Sequence, residues 1–229
     1  MGFEEGLGKV AALLGDKARA IMLWSLLDGK AYTATELANC ADISRQSASN
    51  HLSQLIEAEM LAVEKQGRHR YFRLANEQVA HAIESMASLI PDAQLYQIKA
   101  KSVSQELSFA RTCYDHLAGT LGVAITEALV QKGHINPVGN DYQVTASGIE
   151  WFVRLDIDLE SLKLKKRRFC HKCLDWTERK HHMAGSLGKA LLESMLAKDW
   201  IRRKQNTREI LITPMGKKEL NERLGLFDL

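Results

Sequence analysis

The sequence predicts a mainly α-helical protein with small β-hairpins, in an N-terminal domain over residues 1–95 and an α-rich C-terminal domain over residues 96–229. Three observations support this fold class. Apolar residues recur at helical spacing through the first third of the chain. Short β-like stretches on either side of a glycine predict hairpins. A pattern in the C-terminal part occurs twice, which indicates an internal repeat with pseudo-two-fold symmetry.

The composition excludes several classes of protein. Hydrophobic residues make up 45% and charged residues 26%, as in ordinary globular domains. No run approaches the roughly 20 apolar residues of a membrane span. The first eight residues include Glu4 and Glu5 and do not resemble a signal peptide, so we expect a cytoplasmic protein without a membrane partner. The net charge is +3 overall but −3 over residues 1–95, so any contact with nucleic acid must depend on where basic residues lie.

Capping residues delimit the predicted helices of the N-terminal domain. A periodic apolar segment ends at Gly29, a suitable C-cap. A short helix follows, for which Thr33 or Thr35 can serve as the N-cap. After a tight turn, Ser44 is well suited to cap a longer helix from Arg45 to Met60. These signals predict two consecutive helices joined by a turn.

The second of these helices has an apolar stripe and a polar N-terminal half. A helix that follows a tight turn and begins with short polar side chains and an arginine fits the DNA major groove. Arg45 and Gln46 can make bidentate contacts to guanine and adenine, respectively. The predicted DNA-binding residues of this helix are Ser44, Arg45, Gln46, Ser47, Ser49, Asn50 and His51.

A basic hairpin is predicted directly after this helix. Residues 62–74 form two short β-like stretches around a turn at Gly67. A basic hairpin beside a recognition helix is the wing of a winged helix-turn-helix, and its tip can reach phosphates or the minor groove. The predicted DNA-binding residues of the wing are Lys65, Arg68, His69 and Arg70.

The segment Ser44-Arg-Gln-Ser-Ala-Ser-Asn-His-Leu-Ser-Gln-Leu55, followed by Gly67-Arg-His-Arg-Tyr-Phe-Arg-Leu74, resembles the ArsR/SmtB family of bacterial regulators. The resemblance covers about residues 5–95. It implies a homodimeric repressor that releases DNA when an effector binds, with a dimer surface formed by residues 5–15 and 76–89. Metal sensors of this family often carry paired cysteines in the helix before the recognition helix. This chain has only Cys40 there, so that type of sensor site is not expected.

The C-terminal domain contains the internal repeat. The segment Cys113-Tyr-Asp-His-Leu-Ala-Gly-Thr-Leu-Gly122 recurs as Cys173-Leu-Asp175, an insertion, and His182-Met-Ala-Gly-Ser-Leu-Gly188. Each copy continues into an apolar helical segment, a short β-like stretch and a Thr-x-x-Gly helix start. We therefore predict two related halves, over about residues 105–155 and 165–225.

Cysteine and histidine residues recur within this repeat. The predicted metal- or thiol-sensing residues are Cys113, His116, Cys173, His182 and Cys170. Pairs of such ligands could meet in a tetrahedral site for Zn²⁺ or another transition metal. The basic run at 163–168 instead favours lowered thiol pKa values and an oxidant or electrophile sensor. Two further alternatives are an organic effector bound between the halves and purely structural thiols.

The sequence does not favour an enzyme. It contains no glycine-rich phosphate loop, and Cys113, Asp115 and His116 fall too close together to act as nucleophile, orienter and base. The function predicted is a sequence-specific, effector-responsive regulator, a repressor that binds an inverted-repeat operator on double-stranded DNA as a homodimer. The alternative is a DNA-binding module whose C-terminal extension recruits a protein partner.

Overall fold

The computed structural model describes residues 2–87, 89–90, 105–205 and 207–226. The chain divides into two units, Met1–Ile83 and Glu84–Leu229. The predicted domain boundary at residues 95 and 96 lies outside the described residues. No helix in the described ranges is long and apolar enough to cross a membrane.

The first unit consists of helices and one three-stranded antiparallel sheet in the order β1-β3-β2. A 3₁₀ turn follows the second helix, and the last helix continues into the second unit. The elements are α1 (Phe3–Leu14), α2 (Lys17–Ser25), β1 (Tyr32–Thr33), α3 (Ala34–Ala41), α4 (Arg45–Glu57), β2 (Leu61–Gln66), β3 (His69–Leu74) and α5 (Glu77–Ala87).

Local capping explains where these helices begin. Asp16 accepts a hydrogen bond from the Arg19 amide at the start of α2. Thr33, rather than Thr35, caps α3, and it forms a reciprocal capping box with Glu36. One apolar cluster holds the unit together, including Leu26, Leu37, Leu52 and Leu55 from α3, α4 and the 3₁₀ turn, and Phe72 from β3.

The second unit contains short hairpins alternating with helices. The first set of elements is α6 (Gln105–Phe109), β4 (Arg111–Cys113), β5 (His116–Ala118), α7 (Gly119–Gln131), β6 (Ile135–Val138), β7 (Asp141–Val144), α8 (Ala146–Val153) and α9 (Leu159–Lys163). The second set is β8 (His171–Leu174), β9 (His181–Ala184), α10 (Gly185–Ala197), β10 (Ile201–Arg203), β11 (Ile210–Ile212) and α11 (Pro214–Leu224). The order hairpin, helix, hairpin, helix therefore occurs twice, and the pseudo-two-fold relation between the halves stays a prediction.

The strands of the second unit pair across the two sets of elements. The hairpins β6-β7 and β8-β9 form one four-stranded antiparallel sheet, joined where Asp141 pairs with His171. The hairpin β4-β5 meets β11 through a bridge between Arg111 and Glu209, just before that strand. A single apolar cluster fills the unit, with residues of α7 and α10 at its centre.

Two glycines fix the junctions between hairpin and helix. Gly119 has φ +80° and Gly185 has φ +88°, in the left-handed region that side chains with a Cβ rarely adopt. A Cβ at either position would also lie 2.6–2.8 Å from the carbonyl oxygens of the preceding chain, at Ser108 and Phe109 or at Arg168 and Phe169. Glycine is therefore required where each hairpin turns into its helix.

Candidate DNA interface and candidate metal centre

The helix α4 presents its polar N-terminal half to solvent. Ser44 caps the helix and accepts a hydrogen bond of 3.1 Å from the Ser47 amide. Ala48, Leu52 and Leu55 are buried and hold the opposite side of the helix in the apolar cluster. The exposed residues on the polar side are Ser44, Arg45, Gln46, Ser49 and Asn50. These five side chains are open to solvent and can reach base edges or phosphates.

Two predicted contact residues of α4 have a different environment. Ser47 is half-buried, and so is His51. The His51 Nδ1 atom lies 3.3 Å from Arg19 Nη1 and 3.7 Å from Asp16 Oδ1, so this ring interacts with the start of α2. Arg19 also donates to the carbonyl oxygens of Ala12 and Leu13 at the end of α1. His51 therefore contributes to the attachment of α4 as well as being a candidate for DNA contact.

The strands β2 and β3 form the predicted wing. Lys65 pairs with Arg70 and Gln66 with His69 in the antiparallel register, and Gly67 turns the chain at φ +59°. The exposed basic residues at or near the tip are Lys65, Arg68, His69 and Arg70. This local concentration of positive charge favours phosphate contacts although the domain as a whole is acidic.

Substitutions on α4 and on the wing are expected to have different effects on DNA binding. Arg45→Ala or Gln46→Ala should lower the preference for the cognate site by about 5- to 150-fold, since a bidentate base contact contributes roughly 1–3 kcal/mol of discrimination. Arg68→Ala should weaken binding to every sequence and lower the salt dependence by about one phosphate contact. Fluorescence anisotropy with cognate and scrambled duplexes measures both effects. An unchanged preference in Arg45→Ala would contradict the proposed reading helix.

The second unit brings two cysteines and two histidines together. Cys113 pairs directly with His116 across the β4-β5 hairpin, and Cys173 pairs with His182 across β8-β9. One ligand atom from each of the four residues lies within 4.8 Å of all the others. The two Sγ atoms are 4.0 Å apart, and the two Nε2 atoms are 3.1 Å apart. We call these four residues the Cys/His cluster.

The Cys/His cluster is largely shielded from solvent. Cys113, His116 and His182 are 5%, 4% and 1% exposed, and Cys173 is half-buried. The neighbouring Cys173 thiol and burial raise the pKa of Cys113 to about 12. Four soft or borderline donors that converge inside a protein are the usual ligand set of a closed tetrahedral metal site.

Each histidine of the cluster has a carboxylate behind it. His116 Nδ1 lies 3.7 Å from Asp115 Oδ1, and His182 Nδ1 lies 3.4 Å from Asp175 Oδ2. Burial lowers the pKa of each ring, but the contacts with these carboxylates and with Cys113 outweigh it and raise both pKa values. A carboxylate at Nδ1 orients a histidine so that Nε2 faces a metal, which is the common arrangement in metalloproteins.

Cys170, which the sequence grouped with these ligands, is not part of the cluster. Its side chain lies in the apolar cluster of the second unit and is 3% exposed. Cys170 directly precedes β8, and its thiol packs among apolar side chains, whereas Cys173 on β8 faces the site. The Cys-x-x-Cys spacing does not bring the two thiols together here.

The basic run at 163–168 does not lower the thiol pKa values as the sequence suggested. Burial raises the pKa of Cys170 to about 12, and that of Cys113 is raised as well. Arg167 forms an ion pair with Asp115, and Arg168 forms one with Asp141. These partners offset the positive charge, so the environment does not favour a reactive thiolate at Cys113 or Cys170.

Sequence reasoning missed the buried arginine beside the cluster. Arg111 is 1% exposed, and its Nη2 atom donates to both carboxylate oxygens of Asp175 at 3.1 and 3.0 Å. Its position two residues before Cys113 on the same strand is the one signal that could have indicated it, because alternate strand residues share a face. Its partner Glu84 is distant in sequence and gives no such signal.

Comparison with known proteins supports the DNA-binding class. A family model described as a helix-turn-helix domain matches residues 14–64. The HTH-type transcriptional regulator YdfF of Bacillus subtilis, described as uncharacterized, is 44% identical over 96% of this chain and 97% of its own length. CmtR of Mycobacterium tuberculosis, also named an HTH-type transcriptional regulator, is 30% identical over 38% of this chain and 73% of its own length.

Among solved structures, the winged helix-turn-helix fragment of Mb0332 from Mycobacterium bovis, described as homodimeric and as a possible ArsR-family regulator, matches with a TM-score of 0.32. It is 19% identical and covers 44% of this chain and 84% of that one. The chain belongs to the HTH-type transcriptional regulators. It is a transcriptional regulator with a helix-turn-helix DNA-binding domain, and its relatives are named as regulators rather than enzymes.

Proposed function

We propose that this protein is a cytoplasmic homodimeric repressor that binds an inverted-repeat operator and changes its DNA affinity when an effector binds the C-terminal domain. The observation that carries the proposal is the capped helix α4, which exposes Arg45, Gln46 and Asn50 and is followed by a wing with four exposed basic residues at or near its tip. In a dimer, two such helices enter successive major grooves about one helical turn apart. Repression follows from the ArsR resemblance.

Selection of bound duplexes from a random DNA library tests this proposal. We expect the enriched sites to contain an inverted repeat with half-site centres about 10–11 base pairs apart. Enrichment of a single half-site or of no defined sequence would overturn the dimeric, sequence-specific part of the proposal. Expression of a reporter from the enriched site then distinguishes repression from activation.

Exposed apolar side chains support the homodimer. On α1, Phe3, Leu7 and Val10 are 81%, 58% and 41% exposed, at a spacing that puts them on one side of the helix. Met86 on α5 and Leu89 just after it are 45% and 82% exposed. The ArsR resemblance assigns the dimer surface to these same two segments. We infer that a second copy of the chain covers these side chains.

Leu7→Glu is expected to weaken this dimer at least about 30-fold, since it replaces roughly 2 kcal/mol of apolar burial with a charge that the interface must desolvate. Sedimentation velocity over a concentration series measures the dissociation constant. Lys9→Gln is the matched control, because Lys9 is an exposed residue of the same helix. Equal dimerisation of the wild type and Leu7→Glu would exclude α1 from the interface.

We further propose that the Cys/His cluster binds Zn²⁺ or a similar tetrahedral metal ion. With bond lengths of about 2.3 Å to sulfur and about 2.0 Å to nitrogen, a tetrahedral ion needs its two sulfur atoms about 3.8 Å apart and its two nitrogen atoms about 3.3 Å apart. The corresponding distances here are 4.0 and 3.1 Å. Two cysteines with two histidines in a tetrahedral arrangement are typical ligands of zinc, and such sulfur ligands also suit iron–sulfur centres.

This donor set favours a metal over the other candidate effectors. Oxidant sensing needs a reactive thiolate, whereas the pKa of Cys113 is raised. Elemental analysis of protein purified anaerobically without chelator tests the proposal. About one equivalent of zinc or another transition metal per chain is the expected result, and the absence of metal together with failure to take up added Zn²⁺ would exclude this centre.

A further inference from the structure

A set of buried charged residues lies directly behind the Cys/His cluster. Asp175 Oδ2 is 3.4 Å from His182 Nδ1 and accepts a hydrogen bond of 2.7 Å from the Gly119 amide. Asp175 Oδ1 accepts hydrogen bonds from the backbone and side chain of Thr177. Arg111 binds both carboxylate oxygens. Asp175 is therefore held by several donors at once beside the His182 ring.

The contacts continue from Arg111 to α5. Arg111 Nε lies 3.4 Å from Glu84 Oε1, and its guanidinium stacks on Trp176 with 4.8 Å to the ring centroid. The same Glu84 oxygen accepts hydrogen bonds from Trp176 Nε1 at 2.8 Å and from Arg208 Nη2 at 2.9 Å. We call the residues Asp175, Arg111 and Glu84 the buried ion chain.

The charges in this region balance, and each depends on its neighbours. Two carboxylates, Asp175 and Glu84, are matched by two guanidinium groups, Arg111 and Arg208, all at most 9% exposed. Burial opposes ionisation of Glu84, but Arg208 and Arg111 lower its pKa to about 2. A displaced buried charge would lose its partner without gaining water, so such a chain moves as a unit.

The buried ion chain ends on a helix with a second role. Glu84 is a residue of α5, which runs from Glu77 to Ala87. Earlier residues of the same helix, Ala80 and Ile83, belong to the apolar cluster of the winged-helix unit. The ArsR resemblance also assigns part of the dimer surface to this helix.

We propose that the buried ion chain positions His182 and couples metal binding at the Cys/His cluster to α5. This inference rests on the proposed metal centre. Coordination of His182 Nε2 fixes the ring, the ring fixes Asp175 through Nδ1, and Arg111 passes the constraint to Glu84. Metal binding then favours one of two arrangements of α5. Because the two arrangements bind the operator with different affinities, metal binding changes the affinity of the protein for DNA.

Glu84→Gln tests this coupling because it keeps the size of the side chain and removes the charge. Its Zn²⁺ affinity is measured against a chromophoric chelator, so that wild type and variant are compared with the metal site saturated. Zn²⁺ should change operator affinity by about tenfold or more in the wild type, within the usual range of coupling between sites, and by less than about twofold in Glu84→Gln. Glu160→Gln is the matched control, since it removes an exposed carboxylate paired with Lys163 in the same unit.

Hydrogen exchange of the α5 amides gives a second readout that does not require DNA binding. We expect Zn²⁺ to slow exchange in α5 of the wild type and of Glu160→Gln but not of Glu84→Gln. If Glu84→Gln proves unstable, Trp176→Phe removes the indole donor to Glu84 while keeping a ring beside Arg111, and it should also reduce the response.

The outcomes separate the two proposals. A wild-type protein that does not bind Zn²⁺ would overturn the metal centre itself. A wild type that binds Zn²⁺, together with a Glu84→Gln variant that shows the same response in α5 exchange and operator affinity, would overturn only the buried ion chain as the route. Zinc binding without any response of the wild type would also overturn the coupling and leave the metal centre as a structural site.

Discussion

Replacing Cys113 or Cys173 with serine is expected to abolish stoichiometric zinc binding. A serine hydroxyl does not deprotonate near neutral pH as a metal-bound thiol does, so the ion would lose one of its two anionic ligands. A change to a residue that only orients a ligand typically costs 10- to 100-fold in affinity, so removal of a ligand should cost at least about 100-fold. Competition with a chromophoric chelator, combined with native mass spectrometry, measures the affinity and the stoichiometry.

Cysteines outside the cluster provide the controls. Cys40 is exposed in the winged-helix unit, so Cys40→Ser should keep full zinc binding and stability. Cys170→Ser should also keep zinc binding, although a hydroxyl in the apolar cluster should lower stability by about 1–3 kcal/mol. Loss of zinc in Cys170→Ser at a temperature where it remains folded, or retention of zinc in Cys113→Ser, would contradict this ligand assignment.

Much of the DNA-binding unit could be predicted because its signals are local. Ser44 caps α4 as expected, and the glycine turn of the wing is at Gly67. A cap depends on a hydrogen bond between residues two or three positions apart, so it can be predicted from a short stretch of sequence. The choice between Thr33 and Thr35 required the structure, in which Glu36 completes the capping box with Thr33.

The Cys/His cluster could be predicted only in part. The repeat singled out Cys113, His116, Cys173 and His182, and the structure brings these four residues together, while their role as ligands stays a prediction. Cys113 lies opposite His116, and Cys173 opposite His182, because of the strand register, which spacing in the sequence does not show. An insertion also separates Cys173 from His182, whereas Cys113 and His116 are close in sequence. Cys170 was grouped with them because the Cys-x-x-Cys spacing alone does not show which thiols face the same site.

The surroundings of the cluster could not be predicted because they depend on contacts between distant segments. Arg111 meets Asp175 across 64 residues, and Arg208 meets Glu84 across 124. The run at 163–168 does not lower the thiol pKa values as expected, because burial raises the pKa of Cys170, and the Cys173 thiol and burial raise that of Cys113. The arginines of this run are neutralised by Asp115 and Asp141, which lie far away in the sequence.

At the start of α11, Gly216→Ala should strongly destabilise the second unit. Gly216 is buried, its amide donates 2.9 Å to Thr213 Oγ1, and an added Cβ would overlap the carbonyl oxygen and carbon of Trp200. Trp200 directly precedes β10, and backbone atoms give way less easily than the far end of a side chain. Overpacking of this kind costs roughly 1–3 kcal/mol and more where the backbone must move, so we expect about 3 kcal/mol or more.

Differential scanning calorimetry measures this effect. For a unit of this size a loss of about 3 kcal/mol corresponds to a fall in Tm of roughly 6–12 °C. Lys217→Ala changes the next, exposed residue of the same helix and should leave the Tm nearly unchanged. Gly148, at the start of α8, would meet the carbonyl of His134 in the same way, so Gly148→Ala should be similarly destabilising. A Tm of Gly216→Ala within about 1 °C of the wild type would mean that α11 can move away from β10, and close backbone approach would then not be what fixes this helix.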